Sequence, residues 1–65
     1  MKPQPGDVII RKVPGVSLVS FELVVDDQVE PDGDAMLLDE ARARASRTIA
    51  ETGGRVYEVE DTEST

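Results

Sequence analysis

Residues 16–25, VSLVSFELVV, form the longest run of β-branched and aromatic side chains in the chain, and side chains of that shape suit the pleated, half-buried surface of a sheet. The run is too short to cross a bilayer and is interrupted by Ser17, Ser20 and Glu22. It predicts the principal strand of a small sheet, against which the neighbouring segments must pack.

Residues 1–6 carry two prolines and a glycine and are expected as a flexible lead-in. Residues 7–13 alternate well enough for a first strand, and Pro14-Gly15 is a turn signal. L-Pro followed by Gly prefers a type II turn, which matches strand twist poorly and leaves room for a wider connection. In the tight register Val13 faces Val16, Arg11 faces Leu18, Ile10 faces Val19 and Val8 faces Phe21. The two-residue period then gathers Val8, Ile10, Val19, Phe21, Leu23 and Val25 on one face. Ile9, Val13, Val16, Leu18 and Val24 gather on the other, with Arg11, Ser20 and Glu22 among them.

Composition shifts abruptly at residues 26–34, DDQVEPDGD, which read as a loop. Asp34 is placed to cap a helix over residues 35–52, with Leu37, Leu38, Ala41, Ala45 and Ile49 on one stripe. Glu40, Arg44, Arg47 and Glu51 mark its outer face as i,i+4 pairs. Gly53 is the natural left-handed residue after the helix, and residues 55–59, RVYEV, return as a short strand. Residues 60–65, EDTEST, are expected as an acidic disordered tail.

The fold expectation is therefore α+β: one β-β-α-β domain over residues 7–59, a three-stranded, mainly antiparallel sheet with one helix packed on one face. A helix that simply returns the chain makes the last strand antiparallel to the first, and placing the two side by side gives strand order 2-1-3, favoured over a parallel crossover beside the second strand.

A chain of 65 residues buries only roughly 60% of the surface it exposes when unfolded, so its core is marginal. Small domains compensate with disulfides, metals or self-association. Cysteine and histidine are both absent, which removes disulfides and every thiolate or imidazole site and leaves oligomerisation. No leader or anchor pattern is present, so the expected location is cytoplasmic, with no membrane partner. The net charge of −7, from 14 acidic against 7 basic residues, argues against direct nucleic-acid binding, which needs clustered Lys and Arg. Arg42 and Arg44 diverge by about 200° around a helix and form no compact basic patch; with Arg47 and Arg55 they read as charge balance.

Residues 28–39 invite comparison with a calcium loop, with Gln28, Glu30 and Asp32 at alternate positions before Gly33 and Asp39 at the twelfth. A strand rather than a helix enters the segment and Pro31 stiffens it, so a solvated acidic loop explains it better and no metal or cofactor is expected. No nucleophile–base pair can be named, and the carboxylates lie where water keeps them ionised, so no enzyme activity and no catalytic residue is assigned.

The face holding Ile9, Val13, Val16, Leu18 and Val24 carries the most content. A sheet covered on one side by one helix should be polar on its other side, and here it is apolar, as an interaction surface is. The sequence thus reads as a small acidic, non-catalytic protein-interaction module. It would self-associate through this face or a strand edge into a homodimer or larger assembly, and meet another protein. A second reading is a phage- or plasmid-type inhibitor acting by nucleic-acid-like mimicry on a basic partner through Asp26, Asp27, Glu30, Asp32 and Asp34. A third is a small-ligand binder at a protomer interface lined by Arg11 or Arg55.

Overall fold

The computed structural model describes residues 3–60 as a small α+β fold, one helix against a mixed five-stranded sheet. The elements are β1 (Val8–Lys12), β2 (Leu18–Val25), β3 (Gln28–Pro31), β4 (Met36–Leu37), α1 (Leu38–Thr52) and β5 (Val56–Glu60). The sheet order is β3-β2-β1-β5, with β4 pairing farther along β2. Residues 61–65, which hold most of the expected tail, lie outside the described residues, and Glu60 ends β5.

β1 and β2 pair antiparallel, with Val8 opposite Leu23 and Ile10 opposite Phe21. The register is two residues away from the tight hairpin because the connection spans residues 13–17. Within it the Val16 N–H donates to the Val13 carbonyl at 3.1 Å, closing the Pro14-Gly15 turn. A two-residue shift leaves every side chain on its expected face. Val8, Ile10, Val19 and Phe21 duly form the core with Ala41 and Ala45 of α1, and Leu23, Met36, Leu38, Ile49 and Val56 pack around it. Val25, expected on that face, is exposed at the end of β2.

The acidic segment expected as a loop contains a strand. A tight turn at Asp26-Asp27, with Asp26 at φ 56°, folds β3 back along β2 so that Val24 faces Val29. Edge positions tolerate charge, and Pro31 stands at the strand's end, where a missing N–H costs little. The Asp32 N–H still donates to the Phe21 carbonyl at 2.9 Å, after which the chain leaves the sheet and rejoins it as β4, with Leu37 opposite Leu18. This pairing also moves the helix start. Leu37 rather than Asp34 precedes α1, and no side chain caps it. The other end is as read: Gly53 at φ 75° donates its N–H to the Ile49 carbonyl at 2.7 Å.

The extra strand corrects the topology. β5 lies beside β1, as expected, but parallel to it, with Val8 level with Val56. The expectation counted one reversal too few: β3 and β4 turn the chain before α1 returns it, so the strand that follows runs the same way as β1.

Around the start of β1 the chain is tied down by hydrogen bonds. The Gly6 N–H reaches the Val24 carbonyl at 3.0 Å, and the Thr52 hydroxyl donates to the Gly6 carbonyl at 2.7 Å. The buried Asp7 carboxylate accepts the Gln4 N–H at 2.8 Å and the Arg55 N–H at 2.9 Å. These donors hold the Asp7 carboxyl below the ordinary carboxylate range, against the opposing effect of burial.

Candidate interaction surface

The sheet face away from α1 is built by the odd-numbered residues of β1 and β5 and the even-numbered residues of β2. Ile9 lies there between Glu22 on β2 and Tyr57 on β5. The middle of the face is closed by its own side chains: Arg11 donates from Nε and Nη2 to the Glu22 carboxylate at 3.3 and 3.2 Å, and long charged side chains cover apolar neighbours with their stems. Ile9 and Val24, two of the five predicted interface residues, are each only 5% exposed.

The other three lie at one end. Val13 (39%), Val16 (54%) and Leu18 (44%) are exposed, and β4 adds Leu37 (51%) directly opposite Leu18. The helical stripe was the wrong setting for Leu37, because it precedes α1. Its signal was present in the sequence all the same, as a bulky residue at the junction of an acidic stretch and an amphipathic one. Residues 13–21 include no charged side chain in a chain whose net charge is −7, whereas Leu37 stands between Asp34 and Asp39.

The predicted acidic surface is divided. Asp26 and Asp27 form the β2–β3 turn, Glu30 lies on β3 and Asp34 in the link before β4; all four are exposed, and none makes an ion pair among the described residues. Asp32 differs, because Arg44 donates to it from Nη2 at 2.9 Å. The Arg44 guanidinium also stacks on the Phe21 ring, 4.8 Å from its centroid, where cation and π-face attract. Arg44 therefore closes the core beside the β3–β4 break instead of pairing with Glu40 along the helix. On the other flank Arg42 grips Glu58 of β5 through two hydrogen bonds of 2.8 and 3.0 Å, and Lys12 reaches the same carboxylate at 3.4 Å. Arg42 above all, with Lys12, pulls the Glu58 carboxyl down to about 2. The divergence of Arg42 and Arg44 thus fastens both sides of the helix to the sheet.

Gln28 and Glu30 sit in a strand facing Val25 and Leu23, so their alternation follows the pleat and not a calcium loop. Among the described residues no group of three or more Asp or Glu is placed to hold a metal ion. An open depression of about 470 Å³ lies where α1 ends, lined by Gln4, Asp7, Thr52, Gly54, Arg55 and Tyr57 among others. Arg55, one of the two cations considered for a ligand site, is there; Arg11 is on the sheet face, paired with Glu22. Among the described residues no helix is long and apolar enough to cross a membrane. Comparison with family models, curated proteins and solved structures finds no match to this chain.

Proposed function

We propose that the protein is a non-catalytic interaction module that pairs with a second copy of itself through the apolar end formed by Val13, Val16, Leu18 and Leu37. The observation that carries this reading is the cross-strand pair Leu18–Leu37, roughly half exposed on both sides, with Leu18, Val13 and Val16 belonging to the charge-free stretch 13–21 of an acidic chain. Two copies carrying −7 each repel, and they repel least where neither presents a charge. Removing such a surface from water contributes about 25 cal/mol per Å², which matters to a domain whose core rests on few large side chains, chiefly Phe21, Ile10 and Val8.

Sedimentation velocity over a range of concentrations tests the proposal. The native chain should sediment as a dimer at tens of micromolar, and Leu18→Glu and Leu37→Glu should each yield a folded monomer. A native chain that stays monomeric throughout overturns it.

The acidic-mimicry reading draws support from the exposed, unpaired Asp26, Asp27, Glu30 and Asp34. It makes the opposite prediction: neutralising these four would abolish capture of a basic partner and leave self-association unchanged. The spread of these residues over a turn, a strand and a link, with Asp32 already matched by Arg44, makes it the weaker of the two.

A further inference from the structure

We infer that the Asp32–Gly33 bond is a modification site, where the chain isomerises from aspartate to isoaspartate, and that Arg44 sets how fast it does so. The backbone nitrogen of Gly33 attacks Cγ of the protonated Asp32 side chain, and the carboxyl hydroxyl leaves as water with the amide proton. Water then opens the five-membered imide. Addition at the Cγ carbonyl restores the original bond, whereas addition at the main-chain carbonyl leaves Gly33 joined through Cγ and frees the former main-chain carbon as a carboxylate. Nothing is oxidised or reduced, and the mass of the chain is unchanged.

Ring closure is easiest where the following residue has no Cβ to obstruct it. Asparagine, which closes the same ring by losing ammonia, is absent, and Asp32 is the only aspartate followed by glycine; the others precede Val, Asp, Gln, Ala, Glu or Thr. In the fold the two residues lie in the break between β3 and β4, with Gly33 exposed at φ 90°. The Asp32 N–H is fixed on the Phe21 carbonyl. The Gly33 N–H, the group that must attack, makes no hydrogen bond among the described residues.

The restraint falls on the side chain instead. Arg44 Nη2 donates to Asp32 Oδ2 at 2.9 Å, while its Nη1 stands 3.1 Å from where a Cβ on residue 33 would be. One guanidinium, itself seated on the Phe21 ring, thus braces both reacting residues. For the ring to close, the carboxyl must turn away from Arg44 onto the next nitrogen. Reaction rates depend steeply on reaching such a near-attack geometry, so a contact that opposes it slows the step. The product has one more main-chain atom between β3 and β4, and its carboxylate is attached directly to Cα. Arg44 then loses the partner that holds it over the core. This site is independent of the apolar end.

Peptide mapping by mass spectrometry, with fragmentation that distinguishes isoaspartate, tests the inference after several weeks in mildly acidic buffer. Isoaspartate should accumulate at residue 32 ahead of every other aspartate, and about tenfold faster in concentrated urea than in the folded chain. Arg44→Gln, checked for folding by circular dichroism, should approach the rate in urea. Arg44→Lys, which keeps the charge and loses the two-nitrogen brace, should fall between. Arg47→Gln, on the same helix and without an ion pair among the described residues, should keep the native rate. No product in urea, earlier product at another aspartate, or equal rates in the folded and unfolded chain overturns the inference. So does a folded Arg44→Gln or Arg44→Lys chain that isomerises at the native rate.

Discussion

The tightest steric demand in the molecule falls on Gly54. A Cβ there would run into the Gly6 carbonyl and come within 2.8 Å of Asp7 Oδ1, the oxygen that accepts the Arg55 N–H. The start of β1, the end of α1 and the start of β5 therefore meet at a point with no room for a side chain. Gly54→Ala should cost about 3 kcal/mol, at the upper end of ordinary overpacking, because the obstruction is backbone that cannot swing aside. Urea unfolding monitored by circular dichroism measures it, and a loss within experimental error of zero would mean that the junction opens freely. A glycine pair after an amphipathic helix announced the helix stop. It gave no hint of this close approach, which depends on residues nearly fifty positions earlier in the chain.

At the scale of the element, α1 rests on the sheet through two alanines. Ala41 and Ala45 are buried, one turn apart, above Phe21 and Ile10, and Ala43 between them is exposed. Ala41→Leu should therefore destabilise the fold by about 1–3 kcal/mol, since the added methylenes must lift the helix or displace core rotamers. Ala43→Leu should stay within roughly 0.5 kcal/mol, as surface substitutions do. Equal effects of the two on the urea midpoint would mean that the helix sits on a different face. This part of the architecture was legible: helical spacing picked out Ala41, Ala45 and Ile49, and strand alternation picked out Val8, Ile10, Val19 and Phe21. Alternation survived an error in register because the error was even. The short strands were not legible. β3 is acidic and ends in proline, and β4 has two residues; neither carries a hydrophobic period, and both exist because β2 offers them an unpaired edge. Missing them misplaced the helix cap and inverted the direction of β5. Of the five residues expected to form an interface, Val13, Val16 and Leu18 are exposed, but Ile9 and Val24 are hidden by neighbours that only the folded sheet brings together.

Across the whole molecule, Glu58 is the point where three elements are fastened, β5 by its own backbone, α1 through Arg42 and β1 through Lys12. Its carboxyl titrates at about 2 in place of 4.5, and that of Asp7 is lowered as well. A carboxyl depressed in the folded state contributes its full stability above the unfolded value and loses it as pH falls through the folded one. The urea midpoint should accordingly decline as pH drops from 4.5 towards about 2. In Glu58→Gln the midpoint should be lower at neutral pH and its acid decline shallower, Asp7 supplying what remains. An acid decline as steep as that of the native chain would show that the Arg42–Glu58–Lys12 cluster does not couple to folding.

The position of β1 between β2 and β5 has a consequence for the order in which the fold comes together. The hairpin of β1 and β2 needs only a short loop to close, whereas the partner on the other side of β1 is supplied by the last of the described strands, after the helix has crossed. Closing that long connection is slow relative to the hairpin. On a ribosome, Val8, Ile9 and Ile10 would thus wait as a bare strand edge until residues 56–60 emerge. A chain interrupted before residue 56 would hold its most fully buried strand open to other nascent chains.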